Sequence, residues 1–245
     1  MARYRHLNRA PITEALIDIR VKLPPEKQDP RIIQPLHDRI RQHYPDQKQI
    51  QEIKYEFKVG PPNTQTTTAN HLGYRYTSAD GLRVIQATIN GFTFSRLKPY
   101  ENWENLRGEA YPLWELYQET VRSEVFTRVA TRFINVLEIP GPTIDLDDYL
   151  TAAPIIPKTL PQVYAGFFSR IVVPDEKTQT TAIVTQAFEP GSNPQITPII
   201  LDVDVFKVKQ FANEADVWAT IDSLREVKNR IFFDWITEKT AKLFE

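Results

Sequence analysis

Apolar and polar side chains alternate in several separate segments along this chain of 245 residues. The alternation is cleanest over 52–59, where Ile53, Tyr55, Phe57 and Val59 alternate with glutamate and lysine. Because successive side chains of a β-strand point to opposite faces of a sheet, a period of two predicts one buried and one solvated face. The chain is therefore expected to form a largely antiparallel sheet.

Turn residues bound the other segments with this pattern. Asn90-Gly91 lies between two apolar runs and is typical of a tight hairpin turn. We predict strands at 15–22, 53–59, 73–77, 82–90, 92–97, 125–139, 167–173, 181–188 and 198–209. The polar, threonine-rich segment 60–71 has no apolar periodicity and is predicted to be a long loop.

Apolar residues at helical spacing predict helices at 31–44, 102–121 and 214–243, and a short helical segment at 146–150. Pro112 is expected to kink or break the second helix. The order of elements is similar in residues 1–140 and 141–245. Each contains strand hairpins, then a strand that ends in a basic stretch, then a long helix with tryptophan. These patterns predict an α+β fold with long helices on one face of the sheet, built as two pseudo-symmetric β-rich halves or as one continuous domain.

Composition narrows the class of protein. The chain contains no cysteine, which excludes disulfides, thiolate metal sites and cysteine nucleophiles. Charged residues near the start and the lack of any apolar run of membrane-spanning length predict a cytoplasmic protein without a membrane partner. The formal net charge of −1 lowers the expectation of a dedicated nucleic-acid-binding domain.

Catalytic motifs do not stand out. The sequence has no phosphate-binding glycine loop, no dinucleotide fingerprint, no nucleophile elbow and no His-Glu-x-x-His pattern. We therefore predict no catalytic residue and no cofactor, and a protein that is not an enzyme.

Basic residues within strands suggest a second kind of function. If they share one concave face, they would attract phosphates while neighbouring aromatic rings stack on bases. The alternative is that strand carboxylates neutralise them in cross-strand ion pairs. The candidate nucleic-acid-binding residues are Arg20, Arg75, Arg96, Arg132, Lys207 and Lys209.

Two carboxylates, Asp202 and Asp204, project from one face of a predicted strand. With Asp145 or Asp147 nearby, they would supply the oxygen ligands that Mg²⁺ prefers, as in a metal-dependent nuclease. The alternative assigns Asp145 to a helix cap and the strand aspartates to the solvated side of an edge strand.

The segment NRAPITEALIDIRV at 8–21 resembles the opening of a sporadically distributed family of uncharacterised bacterial proteins of about this length. GYRYTSADG, FTFSRLKPYENW, LEIPG and the C-terminal helix are similar to the same family. The resemblance implies a shared fold, mobile-element or defence gene neighbourhoods, and no reaction. Within the signature, Asn8 is expected to bond local backbone, Pro11 to fix a turn, and Glu14 to face a basic partner such as Arg132.

Three functions follow from these observations. The first is a non-enzymatic macromolecular binding or assembly protein whose partner is another protein or a second copy of the chain. The second is a nucleic-acid-binding component or metal-dependent nuclease. The third is a small-ligand-binding protein with 60–71 as a lid over a cavity.

Overall fold

The computed structural model describes residues 1–58, 60 and 64–245. Nine antiparallel strands form one sheet in the order β2-β3-β4-β5-β1-β6-β9-β8-β7. The strands are β1 (Ile12–Val21), β2 (Asp46–Lys58), β3 (Thr64–Thr77), β4 (Arg83–Thr88), β5 (Gly91–Leu97), β6 (Phe126–Pro140), β7 (Phe167–Asp175), β8 (Thr180–Phe188) and β9 (Ile196–Phe211).

Four α-helices accompany the sheet: α1 (Gln34–Ile40), α2 (Trp103–Val121), α3 (Glu214–Trp235) and α4 (Glu238–Lys242). The side chains of Asn102 and Asn213 cap the two long helices by accepting backbone N–H groups of their first turns. α2 contacts β1 and β5, whereas α3 contacts β6 and β9. The predicted α+β class, with an antiparallel sheet and helices packed against it, is confirmed.

The core lies between the helices and one face of the sheet. Strand pairing places Ile17 beside Phe94 and Ile19 beside Phe92 on this face. These four side chains are fully buried, as are Trp114 and Tyr117 of α2. Phe92 packs against both α2 rings, at 5.9 Å from Trp114 and 5.7 Å from Tyr117 between ring centroids. The alternating residues of β1, Leu16, Asp18 and Arg20, lie on the opposite face, which we call the open face.

The segment predicted as a loop over 60–71 is a strand from Thr64 onward, and 61–63 lie outside the described residues. Pairing with β2 joins Ile53 to Ala69 and Lys54 to Thr68. Ile53 was expected to be buried, yet 52% of its surface is exposed. Because this end of the hairpin is exposed to solvent, the strand does not need an apolar residue at every second position. Threonine can occupy these positions, and the alternation of apolar and polar residues is lost.

The predictions for helix ends were partly wrong. α2 runs through Pro112 without a break, since the buried aromatic face on either side holds the helix in place. The final helix ends at Trp235 because Ile236 is extended and bridges Leu150. Thr237 then caps the separate helix α4. Within the described residues, no helix has both the length and the apolar character to span a membrane.

The element order is similar in two parts of the chain. β1 is followed by antiparallel strands that return to pair with it through β5, and then by α2. β6 is followed by strands that return to pair with it through β9, and then by α3. β1 and β6 lie side by side at the centre of the sheet. A duplication behind the halves 1–140 and 141–245 stays a prediction.

Candidate interaction surface

A network of ion pairs covers the centre of the open face. Asp18 accepts hydrogen bonds from Thr93 Oγ1 at 2.8 Å, Arg128 at 2.7 Å and Arg20 Nε at 3.1 Å. Arg128 also reaches Asp204 at 3.5 Å. The pairing of β1, β6 and β9 brings these residues together, although they are far apart in sequence.

A second pair extends the network along β6. Arg132 donates two hydrogen bonds to Asp202, at 2.9 and 2.6 Å. This contact raises the pKa of the Arg132 guanidinium, with smaller contributions from Asp204 and Glu14. Glu14 was expected to face a basic partner such as Arg132. The hydrogen bonds of Arg132 go to Asp202, and Glu14 acts on Arg132 through its charge. Three aspartates, at 18, 202 and 204, balance three arginines, at 20, 128 and 132.

The six basic residues predicted to bind nucleic acid do not share one face. Strand register puts Arg20, Arg75 and Arg132 on the open face. Arg96 lies on the helix side, where it is buried and bonded to Glu109 at 3.0 Å. Lys207 donates to the Thr178 carbonyl, and Lys209 pairs with Asp216 at the start of α3. The nucleic-acid interface stays a prediction, for which Arg75 is the least neutralised residue.

Asp202 and Asp204 share the open face, as predicted from their spacing. Asp202 is engaged by Arg132, and Asp145 caps the short helical turn at 146–148 by accepting the Asp147 N–H. In the part of the chain that the structure describes, no group of three or more His, Asp or Glu residues is placed to hold a metal ion. The alternative assignment of Asp145 to a cap is confirmed.

Asparagine in place of Asp204 should raise the free energy of unfolding at neutral pH by up to about 1 kcal/mol. Burial raises the pKa of the Asp204 carboxyl, although Arg128 and Arg132 oppose it, and Oδ1 has no hydrogen-bond partner. Because the folded-state pKa lies above the unfolded value, the charged carboxylate destabilises the fold above that pKa.

The destabilisation caused by charged Asp204 disappears as the pH falls. Its carboxyl has the higher pKa in the folded protein and is therefore protonated there before it is protonated in the unfolded chain. Urea unfolding of the wild type and the Asp204→Asn variant should therefore differ most at neutral pH and least in acid. A variant that is less stable than the wild type at neutral pH would show that the ion pair with Arg128 outweighs the burial of the carboxylate.

Two residues of the N-terminal signature, Pro11 and Glu14, belong to or adjoin strand β1. Pro11 is buried, and its carbonyl accepts a hydrogen bond from the Val136 N–H at 2.9 Å. Glu14 lies on the open face of β1. The expectation that Asn8 bonds local backbone is wrong, because its exposed side chain forms no hydrogen bond with a described residue.

Exposed apolar side chains concentrate in the part of the chain that contains the edge strand β7. β7 is the last strand, and Phe168, Ile171, Val172 and Val173 are all exposed along it. Nine of the thirteen large exposed apolar residues among the described side chains fall between 155 and 208. The sequence signal for this surface is the loss of strict alternation in Ile171, Val172 and Val173, which leaves apolar groups on both faces of one strand.

The opposite edge of the sheet has a different character. β2 is the other terminal strand, and its exposed residues include Glu52 and Lys54, which form an ion pair at 3.2 Å. Charged side chains on an edge strand oppose pairing with another chain. The sheet therefore has one edge protected by charge and one edge, β7, that is apolar.

Comparison with known proteins finds no protein-family model and no curated protein that matches this chain.

Proposed function

We propose that this chain is an assembly protein that associates with a second copy of itself through the edge strand β7. The observation that carries the proposal is the exposed apolar surface of that strand, with Phe168 at 72% and Val172 at 51% exposure. An edge strand also presents unpaired backbone N–H and C=O groups, which another strand can satisfy.

Symmetry favours a second copy of the chain as the partner that pairs with β7. A two-fold axis makes two identical edge strands antiparallel, which is the arrangement of every neighbouring pair in this sheet. Pairing centred on Ile171 sets Arg170 opposite Val172, and Phe168 opposite Pro174. Arg170 is the only charged residue between Phe168 and Pro174, so this register places no like charges opposite each other.

The contact is large enough for a stable dimer if the segment before β7 also contributes to it. β7 has nine residues and spans about 30 Å. A stable dimer buries about 800 Å² on each partner, which is more than one narrow strand supplies. Ile155, Leu160 and Val163 in the connector that leads into β7 are also exposed, and we propose that they supply the remaining apolar area of the contact.

Lysine in place of Val172 should weaken self-association by about 100-fold or more. Both protomers of a two-fold dimer carry the substitution, so the interface would bury two lysine side chains. Ile53→Lys is the matched control, since Ile53 is equally exposed, at 52%, on the opposite edge strand. Sedimentation equilibrium and light scattering from micromolar to millimolar protein would give the dissociation constants. We expect a closed dimer for the wild type and for Ile53→Lys.

A monomer at every concentration would contradict self-association. A mass that rises without limit would contradict a closed two-fold contact. Equal dissociation constants for the wild type and Val172→Lys would place the interface somewhere other than β7.

A further inference from the structure

A cavity of about 330 Å³ lies where the N-terminal segment, the turn into α2, strand β6 and helix α3 meet. Pro11, Trp103, Asn135 and Phe232 are among the residues that line it. Ligand pockets in proteins span about 300 to 1,000 Å³, so the space suits a small molecule. No residue of β7 lines this cavity, which is a site separate from the proposed interface.

Lys228 of α3 lines the cavity and is itself only 6% exposed. Its Nζ atom lies 3.5 Å from the ring centroid of Phe133. Among the described residues, no carboxylate, carbonyl or hydroxyl forms a hydrogen bond or ion pair with this amine. Lysine is rarely buried to this extent unless its charge is paired. The cavity wall therefore carries an amine that contacts the face of the Phe133 ring but has no anionic partner.

Two nearby carboxylates are occupied elsewhere, and Glu104, which also lines the cavity, is exposed to solvent. Glu226 pairs with Arg225 at 2.8 Å, and Glu101 contacts Arg96 at 3.4 Å. Burial lowers the pKa of Lys228 to about 7, Arg225 adds to this effect, and Glu226 opposes it. An anion that enters the cavity would supply the missing counter-charge and favour the protonated amine.

We propose that this cavity binds a small organic acid whose carboxylate pairs with the Lys228 ammonium while its apolar body packs against Pro11, Trp103 and Phe232. A single unpaired amine suits a monoanion, whereas a phosphate dianion is better held by several cations. The two arginines that line the cavity are already paired, Arg5 with Glu238 and Glu245, and Arg225 with Glu226.

The test compares benzoate with benzamide, which has the same ring but no charge. Calorimetric titration of the full chain at pH 6 should show benzoate binding at least about tenfold more tightly than benzamide. Lys228→Met should abolish that preference while leaving a folded protein, because it replaces a buried amine by an apolar group of similar length. Lys239→Met is the control, since Lys239 of α4 is exposed and pairs with Asp148.

Equal binding of benzoate and benzamide by the wild type would overturn the proposal. Retention of the benzoate preference in Lys228→Met would do the same. The absence of Lys228-dependent binding for acetate, benzoate and 3-phenylpropionate at millimolar concentration would also rule it out, because these three acids sample the sizes that the cavity admits.

The pH dependence gives an independent readout. The charged and titratable groups that line the cavity with Lys228 are Tyr4, Arg5, His6, Tyr100, Glu101, Glu104 and Arg225. Benzoate affinity should be constant between about pH 5 and 6, where both charges are present, and fall about tenfold per pH unit above pH 7, because the free amine must then take up a proton. His6→Gln should leave this profile unchanged. A profile that flattens in His6→Gln would assign the titration to His6 and contradict the role of Lys228.

Discussion

Alanine in place of Gly73 should lower the free energy of unfolding by about 3 kcal/mol. A Cβ atom at this position would lie 2.1 Å from the Ala87 carbonyl oxygen and 2.6 Å from the Thr88 Cα. Both atoms belong to the backbone of the neighbouring strand β4, which cannot rotate aside as a side chain would. The φ angle of +156° adds strain for any residue with a side chain. Urea unfolding followed by circular dichroism would measure the loss.

Gly108→Ala is the matched control for this prediction. Gly108 lies within α2, and a Cβ atom there would have no heavy atom within 4 Å. Because alanine is the better helix former, this variant should be more stable than the wild type by about 0.5 to 1 kcal/mol. Equal changes in the two variants would show that the close approach of β3 and β4 at Gly73 relaxes without cost.

Local chemistry made part of the fold predictable. The Asn90-Gly91 turn and the alternation in 92–97 define a hairpin through neighbouring residues, and β4 and β5 pair as expected. The threonine-rich start of β3 was missed for a physical reason. Its exposed Thr68 and Ala69 pair with Lys54 and Ile53 of β2, which are also exposed, so no buried face imposes an apolar period.

Local sequence patterns do not predict which distant residues pair with each other. Arg128 meets Asp18 from 110 positions away, and only the order of strands in the sheet brings them together. The edge position of β7 has the same origin, since the segment FFSRIVVPD predicts a strand but not which neighbours it has. The sequence therefore indicates which residues are half-buried, whereas topology decides which of them are exposed at an edge.

Lys228 illustrates a signal that sequence reasoning passed over. Val217, Ile221, Leu224, Ile231 and Trp235 recur at heptad-like spacing along α3, and position 228 fills the interval between Leu224 and Ile231. A lysine is normally assigned to the solvated face of a helix. Here the helical period was the better guide, because the side chain is buried with the apolar residues.

Replacement of Asp18 by alanine should lower the free energy of unfolding by about 3 kcal/mol. Asp18 is buried and accepts hydrogen bonds from Thr93, Arg20 and Arg128. Its loss would leave a half-buried Arg128 guanidinium without its closest counter-charge, 2.7 Å away. Glu119→Ala is the control, because Glu119 pairs with Arg39 where both side chains are exposed. Exposed pairs contribute only about 0.5 kcal/mol.

The Asp18→Ala variant also separates two interpretations of the open face. Removal of one aspartate changes the balance of three carboxylates and three guanidinium groups to a net positive charge beside Arg20 and Arg128. If this face binds nucleic acid, the variant should bind DNA more tightly than the wild type at low salt, with affinity that falls steeply as salt rises. If the network serves only to hold β1, β6 and β9 together, the variant should lose stability and DNA binding should not increase. Gel-shift titrations and urea unfolding of the same two proteins decide between these outcomes, because the first measures free positive charge and the second measures cross-strand pairing.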